Sequence, residues 1–291
     1  MTTPAGHSVM DLALQSVVPS TASKYLHSVW RFLRWCSAHS LALNSLGDLD
    51  LHATAFAVDV FHATPSHKGR QLIINLQQGI GVLFPPAKGK DAFPLLRRSL
   101  KGWSKLVRKV PWSPITHELA ALIAVTLAKS GFSDMGLAVM LAFSGLLRIS
   151  EVCGLRVKDV AFSGDARMGS LSAMWPASLA LKQTKTGDNQ FARVQHADVA
   201  ELLRQHVASR PLGSEARLFA FSAADLRRRF KQAVKAAGIP FRLVFHGLRH
   251  GGATDAFLRG MPLEEIMILG RWAVASSTRH YIQSGPALLL D

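Results

Sequence analysis

"LALKQTKTGDNQFARVQH" (residues 179–196) is the stretch that settles the fold class. Its apolar and polar residues alternate around the turn-prone Gly187-Asp188-Asn189, which is the signature of a β-hairpin. "VKDVAF" (157–162) reads as a further short strand. Almost everything else has helical periodicity, so the expected class is mainly α with a small β-sheet (α+β).

Upstream, residues 8–110 read as helices joined by polar turns. In "PSTASKYLHSVWRFLRWCSAHSL", Ser20 or Thr21 is the expected N-cap. Tyr25, Val29, Phe32, Leu33 and Cys36 follow at helical spacing, with Lys24, Arg31 and Arg34 on the other side. A second helix, 69–84, ends at Pro85-Pro86. A third, 93–110, carries a basic face of Arg97, Arg98, Lys101, Lys105, Arg108 and Lys109, of which Lys101, Lys105, Arg108 and Lys109 are candidate phosphate contacts. The prolines of "VPWSPIT" (110–116) mark a linker. The expected domains are therefore a helical one over 1–110 and a larger one over 111–291. In the second, "THELAALIAVTLAKSG", "FSDMGLAVMLAFSGLLRISEVCGL" and "AADLRRRFKQAVKAAGI" are further helices.

Composition narrows the function. Hydrophobic residues make up 48% of the 291, enough for a packed core. Lys and Arg number 34 against 19 acids, a net charge of +15 and a pI near 10.5. The excess is shared: 13 basic and 5 acidic residues in 1–110, 21 and 14 in the remainder. Such a charge favours a polyanion, nucleic acid before membrane. The most apolar runs, 119–128 and 135–143, are too short to span a bilayer. No secretory signal is expected, and Cys36 and Cys153 read as buried reduced thiols of an intracellular protein. No Cys/His cluster has zinc spacing, and no acidic cluster suits magnesium.

Chemistry concentrates late in the chain. In "GLLRISEVCGL", Leu146, Ile149, Val152 and Cys153 form an apolar stripe that Gly154 stops, and Arg148 and Glu151, three apart, are expected on one helix face. An arginine within so apolar a stretch requires an anionic partner. In "FHGLRHGGATDAFLRG" (245–260), His246 and Arg249 also lie three apart, and both donate toward something else. A bound phosphodiester suits such a pair. Tyr281, one of only two tyrosines, follows Trp272 by nine positions in "GRWAVASSTRHYI" (270–282).

Arg148-x-x-Glu151, His246-x-x-Arg249, Gly270-Arg271-Trp272 and Tyr281, in this order, resemble the tyrosine recombinases (phage integrase, Cre-like) over roughly residues 140–282. "QTKTGDN" resembles the family's hairpin bearing a catalytic lysine, here Lys185, with Lys182 the lesser candidate. The helices around "STASKYLHSVWRFLRWC" resemble its core-binding (SAM-like) domain, more loosely. The resemblance implies a helical N-terminal DNA-binding domain and a catalytic domain at 111–291.

It also implies site-specific recombination or integration through a covalent 3′-phosphotyrosine on Tyr281, without cofactor, metal or ATP. The partner would be double-stranded DNA, with a homo-tetramer acting on two sites and no membrane association. A free phenol, with a pKa of about 10, is ionised to only about one part in a thousand at neutral pH. Arg148, Arg249 and His246 would ease that cost and hold the phosphorane, and Lys185 would protonate the leaving 5′ oxygen. Trp272 would pack and donate its indole N–H, and Glu151 would orient Arg148 or the neighbouring helix. A type IB topoisomerase-like relaxing enzyme and a catalytically silent DNA-binding relative are the alternatives. Relatives extend a helix past the tyrosine into a neighbour; here Gly285-Pro286 should break one, leaving "ALLL" as a possible hook.

Overall fold

The computed structural model describes residues 10–89, 91–107, 114–167, 175–184, 187–208, 210–211 and 214–282. The chain divides into two compact units, Met1–Val110 and Pro111–Asp291. No helix among the described residues is long and apolar enough to cross a membrane.

The first unit holds α1 (Met10–Gln15), α2 (Pro19–Ala38), α3 (Leu46–Ala63), α4 (His67–Leu83) and α5 (Pro94–Leu106). Helix α2 begins earlier than its hydroxyl residues suggest. Val18 is the N-cap, with no side-chain cap bond, and Pro19 occupies the first turn. A proline there gives up an N–H that has no helical partner anyway and sets φ in advance. Helices α3 and α4 are capped conventionally, by Ser45 Oγ on Asp48 N–H and Ser66 Oγ on Gly69 N–H. Helix α5 is capped from a distance: the buried carboxylate of Asp50, on α3, accepts from Leu95 and Leu96 N–H at 2.9 and 3.0 Å. The core collects Phe32, Phe56, Ile73, Leu76, Leu96 and Trp103. Leu33 of the expected apolar stripe stays exposed, whereas Cys36 is buried as expected. Arg97, Arg98, Lys101 and Lys105 lie exposed on α5. Arg108 and Lys109 lie outside the described residues.

The second unit contains α6 (His117–Lys129), α7 (Ser133–Ser144), α8 (Ile149–Gly154), β1 (Val160–Phe162), β2 (Ala177–Thr184), β3 (Gly187–Val194), α9 (Ala197–Val207), α10 (Ala223–Ala236), α11 (His246–Leu258), α12 (Leu263–Gly270) and α13 (Ala275–Tyr281). The three strands form an antiparallel sheet in the order β1-β2-β3. Alternate residues Val160, Phe162, Ala177, Leu179, Leu181, Ala192 and Val194 are buried against the helices, as period-two patterning requires. The class is mainly α with a small sheet.

Two details depart from the sequence reading. Gly187–Asn189 is strand rather than turn, because Thr184 pairs with Gly187. Only Lys185 and Thr186 fall between the paired ends, and both lie outside the described residues. The single long helix expected over residues 132–155 is instead two. Helix α7, buried along Met135–Ser144, ends at Ser144, and Leu146 takes φ +48°, which turns the chain before α8.

Helix α11 packs unusually close to its neighbours. A side chain on Gly251 would meet the Ile115 carbonyl, and one on Gly252 the Phe143 carbonyl. Ser144, fully buried, accepts Gln195 and His196 N–H on its Oγ at 2.9 and 3.1 Å, tying the end of β3 and the start of α9 to α7.

Candidate active site

The turn between α7 and α8 makes Arg148 the N-cap of α8 rather than a residue on its face. The expected pairing with Glu151 survives in another form. Glu151 accepts the Arg148 backbone N–H on Oε2 at 2.8 Å and the Arg148 guanidinium on Oε1 at 2.6 Å. The same Oε2 accepts from Arg271 at 2.9 Å and lies 3.8 Å from Arg249 Nη1. One carboxylate thus sits among three guanidinium groups, whose side chains are 19% (Arg148), 0% (Arg249) and 5% (Arg271) exposed.

Backbone carbonyls hold the two buried arginines in place. Arg249 donates to Leu146 O at 2.7 Å and to Gly270 O. Arg271 donates to Leu146 O and Leu269 O, both at 3.0 Å. Arg271 also has φ +54°, ψ 47°, a left-handed C-cap of the kind usually given to glycine. Four side-chain hydrogen bonds, to Gly145 O, Leu146 O, Leu269 O and Glu151, and a backbone N–H bond to Ile268 O hold it in that conformation, whose cost is about 1 kcal/mol.

Charge follows burial. Desolvation, then Arg271 and Arg148, pull the Arg249 guanidinium down to about 9, with Glu151 and Tyr281 opposing, so it keeps its charge at neutral pH. Desolvation lowers Arg271 as well, against the pull of Glu151. Burial would raise the Glu151 carboxyl, but Arg271 and the Arg148 hydrogen bonds hold it below its ordinary value. The cluster therefore carries a surplus of fixed positive charge.

Tyr281, on α13, lies beside this cluster. Its phenol oxygen is 3.2 Å from His246 Nε2, at the start of α11. Its ring stacks on His250 (4.3 Å, 26°) and tilts against Trp272 (4.6 Å, 32°). The Arg249 guanidinium carbon lies 4.9 Å from the Trp272 ring centre and 5.7 Å from that of Tyr281. Trp272 packs in a small core with Leu146, Ala253, Ala256, Ile266 and Leu269. Its indole N–H is buried and has no acceptor among the described residues.

Arg148, Glu151, His246, Arg249, Trp272 and Tyr281, drawn from four separate segments, thus converge. Lys185 lies outside the described residues, and Lys182 is exposed on β2. Lys101 and Lys105 belong to the other unit. Two members of the cluster carried no site role from sequence: Arg271, quoted only within the Gly270-Arg271-Trp272 motif, and the buried His250, which reads from sequence as a satisfied or solvated histidine flanking His246-x-x-Arg249. Arg271 could have been found from its place beside a glycine that ends an apolar helix, and His250 from its position four residues after His246 on one helix face. Chemically, the site offers a phenol beside an imidazole, above fixed cations. That arrangement suits a nucleophile acting on an anionic ester.

Residues 115–287 match the model of the phage integrase family. Over 179 residues the chain is 30% identical to the tyrosine recombinase XerC of Chlamydia muridarum (strain MoPn / Nigg). That overlap covers 60% of this chain and 55% of the relative, so the chain spans about half the length of the curated protein it matches. Among solved structures, a lambda integrase dimer bound to a COC′ core site gives a TM-score of 0.64 at 17% identity, covering 94% of this chain and 92% of that one. The Tn1549 transposon integrase in complex with transposon right end DNA gives 0.64 at 16%, covering 97% and 98%. The XerH site-specific recombinase bound to a palindromic substrate gives 0.64 at 17%, covering 89% and 75%. At these identities the structural likeness is one of fold. The family match takes in more than half of the chain and every residue of the converged cluster, and the chain belongs to the phage integrase family of tyrosine recombinases.

Proposed function

We propose that this protein is a site-specific recombinase or integrase that cleaves and rejoins double-stranded DNA through a 3′-phosphotyrosine on Tyr281. The observation that carries the reading is the 3.2 Å contact between the Tyr281 phenol and His246 Nε2, beside three guanidinium groups that share one carboxylate. Tyr281 Oη attacks phosphorus, the Tyr–O–P bond forms and the P–O5′ bond breaks. The phenol proton passes toward His246, and the leaving 5′ oxygen takes a proton from Lys185. The bond energy is kept in the phosphotyrosine, so a 5′ hydroxyl on another strand can reverse the step without ATP. Arg148, the least buried of the three arginines, would meet a phosphate oxygen directly. Arg249 and Arg271 supply fixed charge from within the protein, where it needs no reorganisation during reaction. Residues 1–110 would act as the core-binding domain, and a homo-tetramer would bring two DNA sites together.

The test is Tyr281→Phe, which removes one oxygen and almost no packing. DNA binding should be unchanged, while no covalent complex forms on a nicked suicide substrate. Mass spectrometry of the wild-type adduct should recover a peptide containing residue 281 joined to DNA. A Tyr281→Phe protein that still forms the adduct would overturn the assignment.

A further inference from the structure

Facing away from the core, the sheet presents Ala161 on β1, Ser178, Ala180 and Lys182 on β2, and Phe191 and Arg193 on β3. The cross-strand register sets Ala161, Ser178 and Arg193 in one row and Ala180 opposite Phe191 in the next. Solvent faces of antiparallel sheets are ordinarily covered by long polar side chains. Here the middle is small, and a basin of about 460 Å³ opens over it, walled by Trp175, Phe191 and Arg193.

Both aromatic rings are set for a partner. Phe191 is 66% exposed, a large apolar area to leave in water. The Arg193 guanidinium lies 4.8 Å from the Trp175 ring centre, and the Trp175 indole N–H is buried with no acceptor among the described residues. Cations gather at the rim. Lys158 lines the basin and lies against Lys182, whose ammonium group pushes that of Lys158 below its ordinary pKa. Arg167 is committed elsewhere: it donates to Asp165 and to the Lys158 and Val160 carbonyls. Asp159 also lines the basin, and Glu215 pairs with Lys158 and Arg156, so the positive surplus is modest and aromatic stacking must supply most of the affinity.

We infer that this face is a second nucleic-acid site that takes an unpaired DNA nucleotide, its base stacked on Phe191 and Trp175 and its phosphate held by Arg193. Flat rings over a floor of small residues, with guanidinium and ammonium groups at the rim, are the components of single-strand recognition. A duplex buries its base faces against one another, so the rings reward a base that has left the stack. The site rests on no step of the Tyr281 chemistry. An acidic, aromatic peptide is the competing occupant.

Binding of a labelled twelve-nucleotide oligothymidylate and of a duplex by the full chain tests the inference. Phe191→Ala should weaken single-strand binding about fivefold to a hundredfold, the range for losing one stacked base. Duplex binding should stay within about twofold, and an unchanged melting temperature would show that the exposed ring does not support the fold. Arg193→Ala should lower the salt slope of single-strand binding by about one. A 5-iodouracil-substituted strand should photocrosslink to the peptide spanning Trp175 to Arg193. Single-strand affinity unchanged in both Phe191→Ala and Trp175→Ala, or crosslinks confined to other peptides, would overturn it and leave the face to a protein partner. Repeating the binding in Tyr281→Phe keeps the two proposals apart, because loss of cleavage leaves this difference untouched.

Discussion

Glu151 holds one negative charge against Arg148, Arg249 and Arg271, with only 3% of its side chain exposed. Removing a buried counter-charge is costlier than the pair is stabilising, because the remaining ions stay desolvated. Glu151→Ala should therefore cost about 3–5 kcal/mol and lower the melting temperature by about 10 °C or more, measurable by calorimetry. Acid should reproduce part of the loss. The Glu151 carboxyl lies below its ordinary value in the folded protein, so its contribution is full above the unfolded value of about 4.3 and fades as pH falls through the folded one. Unfolding midpoints at pH 7 and pH 3 should converge in Glu151→Gln relative to the wild type. An equally steep acid loss in the variant would assign the effect to other carboxylates, such as Asp255.

At the scale of elements, α11 carries His246, Arg249 and His250 and is seated by its glycines. Gly252→Ala would drive a methyl group into the Phe143 carbonyl, which is backbone on a buried helix, and against the fully buried Leu146 side chain. The variant should unfold at least about 2–3 kcal/mol more easily, as read from urea midpoints, and lose the Tyr281–His246 contact as α11 is displaced. The β2–β3 hairpin belongs to the same scale. If Lys185, which follows β2 in the sequence, is the proton donor, Lys185→Ala should stall cleavage of an ordinary phosphodiester yet cleave a 5′-bridging phosphorothiolate, whose leaving group needs no proton. Tyr281→Phe should not be rescued by sulfur. Failure of the sulfur substrate to rescue Lys185→Ala would move the donor role, with Lys182 the next residue to test.

Over the whole molecule, charge is the dominant fact: +15, with a positive balance in both 1–110 and 111–291. If both units grip one duplex and six or more phosphates are neutralised, log K against log[salt] should have a slope of about −5 or steeper. The isolated residues 1–110 should bind far more weakly and with a shallower slope. A slope near zero, or equal affinity for that fragment, would refute a two-unit grip.

Much of this protein was legible in one dimension. Period-two alternation in Leu179–Leu181 and the helical spacing of Phe32 and Cys36 report which faces are buried, since burial follows side-chain chemistry along a regular element. His246-x-x-Arg249, Trp272 and Tyr281 were visible as chemistry at fixed intervals. The convergence was not. Arg271 was visible only as the middle of Gly270-Arg271-Trp272; its contact with Glu151, 120 residues away, appears only when α8 and α12 meet. The break at Leu146 was equally hidden, because nothing in "AFSGLLRIS" distinguishes a continuous apolar helix from one that turns. Long-range partners decide it: the Leu146 carbonyl accepts from both Arg249 and Arg271, and that bond exists only in the folded chain. Sequence by itself determined the element types, most core faces and which side chains are candidates for chemistry, because these depend on local periodicity and side-chain type. Tertiary structure alone decided that three arginines share one buried carboxylate, because desolvated charges are stable only where distant segments supply their partners.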